Sequence, residues 1–477
     1  MITPQLVKSL RNVARTLRPW LDTTTYRPLV LLSVLVIGAF LGPPLYDTAV
    51  ARYSSIPARI RWAFGEGVFL VIVAAGLLRL MTVKPGDSWP IPTTGQAATA
   101  GIAGSRWVPW ALRLAVALLI VPIMRHPDGL GFADWDFVLD KFEALRRTIL
   151  IWGQFPWWNP WCRGGFPLAA EPQIGAVSIA APLVLALGTS IGLRIAAILC
   201  VMIAVEGAYR LALLWLCEPL SAAAAALVYG LNGGIIIDTA QGYVMAMSYC
   251  SVPWLAYYAF RIGERFLDGL ALGFWAAFAA LNGMQYLSLY AAVLTVLVWM
   301  RTLRVGPRAI RKRVLVHTVA ALGLFLALCG WRLATTLLVL LDDQRERVTL
   351  WDESPWATFG YLLARPAPDW YKIVPGQHHA DYVSLVSYVG PVVVLLALLS
   401  LAWGWRWWHT LSFVSGWLAI GSIRWYHASY WLSSWPLFSS AHAVTRWRFL
   451  AMLGIGLAAG SVLARWRRSD DRRTRVF

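Results

Sequence analysis

The chain of 477 residues is 58% hydrophobic and only 14% charged, with 42 Lys and Arg against 24 Asp and Glu, a formal net charge of +18. Soluble domains carry roughly 45–50% apolar and about 25% charged residues, so a soluble globular enzyme, a disordered chain and a fibrous one are all excluded. About 20 apolar residues span a bilayer as a helix, and this chain holds enough for roughly a dozen spans in one polytopic, all-α membrane unit.

The basic residues sit beside the apolar runs. Lys8, Arg11, Arg15, Arg18 and Arg27 precede the first run, at 29–45, which reads as an uncleaved signal-anchor. A second run covers 68–83, and the Gly-, Ala-, Thr- and Pro-rich 90–105 reads as a linker, so 1–106 form a leader, a two-span hairpin and a linker. The third run, 107–124, leads out to the polar stretch 125–173. Within that stretch Val138, Phe142, Leu145, Ile149 and Trp152 recur at helical spacing, predicting a short amphipathic helix on the membrane surface.

Further runs follow at 174–187, 193–216, 221–237, 247–260, 270–281, 287–300, 314–341, 386–401, 411–423 and 449–463. The loop with Arg301, Arg304, Arg308, Arg311, Lys312 and Arg313, and the tail 465–477, mark the cytoplasmic side. With the short, Pro-containing 174–187 read as re-entrant, about twelve spans remain and both termini are cytoplasmic. This placement makes lipid contact and orientation the role of the basic clusters, not nucleic-acid binding. Glu206 and Arg210, four apart inside an apolar run, are expected to neutralise each other. Cys162, Cys200, Cys217, Cys250 and Cys329 are scattered, without CxxC or Cys/His metal spacing.

The chemistry-bearing pattern begins at Asp134-Trp135-Asp136. In extended chain the two carboxylates share a face and can converge on one hydroxyl or one divalent cation. A carboxylate at the membrane edge, with its pKa raised by burial, suits a general base. The 28 tryptophans mostly mark water boundaries, with Trp157, Trp158 and Trp161 the ones best suited to stack on a sugar or a polyprenyl chain.

Downstream runs Gly153-Gln-Phe-Pro-Trp-Trp158-Asn159-Pro-Trp161-Cys-Arg-Gly164-Gly-Phe-Pro167-Leu, then Glu171-Pro-Gln173. Tyr229 with Gly233, Pro253 with Arg261, Asn282-Gly-Met-Gln285, the polar segment 342–347, Tyr388-Val-Gly390 and Arg446-Trp-Arg448-Phe follow in order. Together this order resembles the YfhO-type bacterial membrane proteins over roughly 125–460, with 1–106 outside the match. The resemblance implies a C-type glycosyltransferase fold with a catalytic core over 107–464. It implies an enzyme of the bacterial inner membrane that moves a sugar from a polyprenyl-phosphate donor to an extracytoplasmic envelope glycan or lipid acceptor.

On that reading Asp134 and Asp136 are the base candidates, and Arg446 and Arg448, with Arg345 or Arg347 as weaker alternatives, neutralise the donor phosphate. Trp158, Asn159, Glu171, Gln173, Asp238, Gln241, His378 and His379 are candidate substrate contacts. Asp238, Gln241 and Tyr243 are expected in an outer loop. Adjacent His378 and His379 point apart, which disfavours a metal site there. A flippase for lipid-linked sugars and a non-catalytic scaffold are the competing readings.

Overall fold

The computed structural model describes residues 107–124, 135–162, 164–171, 175–240, 242, 246–283, 308–342, 387–420 and 444–474, with isolated positions at 292, 295, 296, 298–300, 303 and 362. The expected spans 29–45 and 68–83 and most of 287–300 lie outside these residues. All regular elements described are helices, apart from one isolated antiparallel bridge between Asn159 and Phe166. In chain order they are α1 (Trp107–Met124), α2 (Trp135–Trp152), α3 (Ala180–Leu187), α4 (Thr189–Leu216), α5 (Pro219–Gly230), α6 (Gly233–Ala240) and α7 (Ala246–Tyr249). Then come α8 (Val252–Arg261), α9 (Phe266–Leu281), α10 (Arg308–Asp342), α11 (Pro391–Ser400), α12 (Trp407–Ile420) and α13 (Arg448–Thr474).

Thr189–Leu216, Ile310–Leu338 and Arg448–Arg468 are each long and apolar enough to cross a membrane. The α5–α6 pair passes the same test as a span bent by 43°. The chain is thus a membrane protein, while the expected total of twelve spans reaches beyond the described residues. At eight residues α3 is about 12 Å long, too short to cross a hydrocarbon core of about 30 Å by itself.

Helix α4 is the central column, with α1, α2, α3, α5, α7, α8 and α13 packed on it. Helix α13 in turn holds α5, α11 and α12, and α9 lies along α10. Lipid is as apolar as leucine, so such contacts depend on small residues that let backbones approach. The Gly269-x-x-x-Gly273 pair of α9 faces His317 and Ala321 of α10, and a Cβ on Gly273 would collide with the Ala321 carbonyl. Gly273→Leu therefore costs about 1–3 kcal/mol by overpacking. It is expected to lower the thermal midpoint of the detergent-solubilised protein, whereas Gly323→Leu on α10, where a Cβ meets open space, leaves it unchanged.

Glu206 accepts from Arg210 at 2.8 Å as expected, and Arg113 of α1 adds a second contact at 3.1 Å. The basic segment after residue 464 continues α13 as helix to Thr474. There Arg468 donates to the Leu216 carbonyl at the end of α4, and Arg467 lies 3.4 Å from Glu218. Cations at a helix C-terminus are favoured by its dipole.

Three local expectations change. The amphipathic stripe forms a helix over Trp135–Trp152, but its Val138, Phe142 and Leu145 are buried in protein, with α3 and α4 packed on the helix, while Trp152 at its end is exposed. The apolar run 221–237 is broken after Gly230, where Asn232 accepts from Ile235 N and donates to Tyr229 O, capping a new helix. The run 247–260 is likewise split between α7 and α8 at Cys250 and Ser251.

Candidate functional site

Helix α2 links two polar clusters. Its first residue, Trp135, donates from Nε1 to the Ala240 carbonyl at 2.9 Å, at the end of α6. Gly242 sits against the same indole with φ 78°, and a Cβ there would stand 2.7 Å from Trp135 N, so only glycine fits this turn.

Two residues before Ala240, Asp238 is 2% exposed. Its Oδ1 accepts from Arg448 Nη2 at 3.0 Å and its Oδ2 from the Tyr249 hydroxyl at 3.3 Å. Tyr249 stacks on Phe449 at 3.7 Å between ring centres, and its carbonyl accepts from the Tyr229 hydroxyl at 2.8 Å. Arg446, in the short 3-10 turn Val444–Trp447 before α13, is within electrostatic reach of the same carboxylate. Asp238 is therefore not in an exposed outer loop. The helix of Gly233–Ala240 carries it inward, because Arg448 and Tyr249 supply the partners that burial demands.

The second cluster lies six residues along α2, a rise of about 9 Å. Lys141 is buried, with Nζ 3.6 Å from Glu171 Oε1 and 3.3 Å from the centre of the Phe137 ring. Arg332 of α10 is 0% exposed and donates to the Glu171 carbonyl at 3.2 Å and to the Leu281 carbonyl at 3.0 Å. Thr336 donates to the Ala170 carbonyl at 3.0 Å, and Asn282 accepts from Ile179 N at 3.1 Å. The loop that carries the Trp-Asn-Pro string is thereby tied to α10 and to the end of α9.

Within that loop Asn159 is fully buried. It exchanges backbone bonds with Phe166, and its Oδ1 accepts from Trp161 N at 3.0 Å. Its Nδ2 finds no acceptor among the described residues. Trp158 is exposed, its ring edge against Gly165.

Asp136 is exposed in the first turn of α2. Trp135 and Asp136 are helical rather than extended, and the Asp136 side chain is exposed. The buried stripe of α2 pulls the helix start to Trp135. Asp134, Gln173, Gln241, Arg345, His378 and His379 lie outside the described residues. Among the described residues no three His, Cys, Asp or Glu side chains gather as a metal site.

Three regions that the sequence reads separately are thus linked: the start of α2 at Trp135, the end of α6 with Asp238 and Ala240, and the Arg446–Arg448 element. Tyr388 of the late motif holds the opposite end of α6, its backbone carbonyl accepting from Gly233 N at 2.7 Å. Lys141, Arg332 and Tyr249 escaped the sequence reading. A signal for Lys141 did exist, since a cation beside Phe142 on the apolar stripe implies a buried partner.

No family model matches the chain, and no curated protein matches it. Among solved structures it is similar to ArnT from Cupriavidus metallidurans bound to undecaprenyl phosphate, at 13% identity over 74% of this chain and 77% of that one, with a TM-score of 0.35.

Proposed function

We propose that the protein is a membrane glycosyltransferase of the C type, related to the YfhO-type proteins. It takes a sugar from a polyprenyl-phosphate donor and places it on an extracytoplasmic envelope glycan or lipid acceptor. Residues 107–464 form its catalytic core, in the bacterial inner membrane with both termini cytoplasmic. The observation that carries the reading is the meeting of the α2 start with Asp238, Arg446 and Arg448, joined through the Trp135–Ala240 bond.

In this reaction the acceptor hydroxyl oxygen bonds to the anomeric carbon of the donor. The bond from that carbon to the phosphate oxygen breaks, and polyprenyl phosphate leaves with the electron pair. A carboxylate of the Asp134–Asp136 segment takes the hydroxyl proton. Arg446 and Arg448 stabilise the charge growing on the phosphate, since guanidinium groups match phosphate oxygens in bidentate fashion. Asp238 and Tyr249 hold Arg448 in place for that task. Asn159 Nδ2, buried and without an acceptor among the described residues, supports a substrate contact by the Trp-Asn-Pro loop.

One observation favours a second reading, a flippase for lipid-linked sugars. The broken α5–α6 pair is the kind of discontinuous helix that transporters use to bind substrate.

Proteoliposomes holding the purified protein and a labelled polyprenyl-phosphate hexose separate the two. The transferase reading expects label on an added envelope-glycan fraction and a matching loss of glycan mass in deletion cells. Movement of the labelled lipid across the bilayer with no acceptor present, and no transfer when one is added, overturns it in favour of the flippase.

A further inference from the structure

One cleft is not used by the chemistry above. It has a volume of about 450 Å³, within the range of about 300–1,000 Å³ typical of small-molecule sites. Helix α2 supplies Asp140, Glu143 and Arg147, the start of α4 supplies Thr189 and Ser190, and the Trp-Asn-Pro loop supplies Trp161.

These groups are held in place. Trp161 is half exposed and stacked on Trp152, with ring centres 5.0 Å apart and an 18° interplanar angle. Its backbone N is fixed on Asn159 Oδ1. Glu143 accepts from the Thr189 hydroxyl and, at 3.0 Å, from Arg147 Nε. Burial opposes its ionisation, but the Thr189 hydroxyl and the Arg147 and Arg146 guanidiniums outweigh that and hold the carboxyl below its ordinary pKa.

The chemistry is that of a saccharide site. A pyranose ring has one apolar C–H face, which packs on an indole, and a rim of hydroxyls, which need both acceptors and donors. Asp140 and Glu143 are acceptors, Arg147 is a donor, and Thr189 and Ser190 are both. The position is equally specific. Asp136, Asp140, Glu143 and Arg147 follow at i, i+4, i+7 and i+11, so they lie along one face of α2. Asp140 is one turn, about 6 Å, from Asp136.

We propose that this cleft is an acceptor subsite that binds a saccharide segment of the glycan and lays it along α2 so that its hydroxyl end reaches Asp136. The proposal rests on the transferase reading for the word acceptor, and on the cleft itself for the saccharide.

The test uses the full-length protein in detergent and an array of fluorescent trisaccharides built from common hexoses, deoxyhexoses, pentoses and N-acetylhexosamines. At least one is expected to bind, and Trp161→Ala and Asp140→Asn each weaken it about tenfold, the order expected for one stacking or charged hydrogen-bonding partner. Trp161→Phe retains most of the binding, and an unchanged elution profile on size exclusion shows that the variants fold. In the transfer assay Trp161→Ala raises the acceptor KM about tenfold and leaves the donor KM alone; a rise in the donor KM instead overturns the acceptor assignment. An array with no bound trisaccharide, or binding indifferent to Trp161 and Asp140, overturns the cleft as a saccharide site. The two readings fail separately. Loss of transfer in Asp136→Asn with binding indifferent to Trp161 sinks the cleft alone, while Trp161-dependent binding by a wild-type protein that transfers nothing sinks the transferase alone.

Discussion

Asp136→Asn lowers sugar transfer by about 10²–10⁴-fold, the range that loss of one general base produces, while the protein still inserts and accumulates. The substitution keeps the size and shape of the side chain. Asp136 is exposed in the first turn of α2, and the anchor of that turn is Trp135, whose bond to Ala240 does not involve the carboxylate. Stability and span packing are therefore expected to stay as in the parent protein. Asp134→Asn, assayed in parallel, divides the role between the two acids, the larger loss marking the base. Transfer is read from label moving from a polyprenyl-phosphate hexose to the acceptor in proteoliposomes, with membrane content quantified by immunoblot. Undiminished transfer by the double variant Asp134→Asn/Asp136→Asn removes this segment from the chemistry.

Arg448→Ala is expected to destabilise the protein by about 3–5 kcal/mol, because it leaves Asp238 as a buried charge without its main partner. Asp238 and Arg448 are both almost wholly buried and lie 3.0 Å apart. Desolvation of two such groups roughly offsets their attraction, so removing both together is far cheaper than removing one. The double variant Asp238→Leu/Arg448→Met is accordingly expected to recover most of the thermal midpoint lost in Arg448→Ala, less the bond that Tyr249 gives Asp238. It is expected to stay inactive, since the guanidinium is gone from the site. An Arg448→Ala protein that melts with the parent shows that the pair carries no stability. A double variant that transfers sugar at the parental rate shows that Arg448 does not serve the phosphate.

The two outcomes bear on how much could be read from the linear chain. The stripe of Val138, Phe142 and Leu145 announced α2 because helical periodicity is a local property. The surface that the stripe faces is not local. A helix with this pattern satisfies its apolar side equally well on lipid or on protein, and here α3 and α4 cover it. An acid at the end of an apolar run normally marks water, so the sequence by itself places Asp238 in a loop. Arg448 lies 210 positions away, and no local rule reveals that it cancels the charge. Arg332 and the Glu171 carbonyl, 161 positions apart, hide in the same manner.

Composition and hydropathy alone settled that this is a helical membrane protein, since transfer of apolar and charged residues between water and lipid depends on residue type and run length rather than on partners. Short motifs also fell on segments that pack together, among them the Trp-Asn-Pro loop and Arg446–Arg448. Which of those regions touch, which charges are buried in pairs, and where α5 breaks from α6 were decided only by the tertiary structure. Buried polar groups must find partners wherever the chain brings them, and such partners are set by packing in three dimensions, not by neighbours along the sequence.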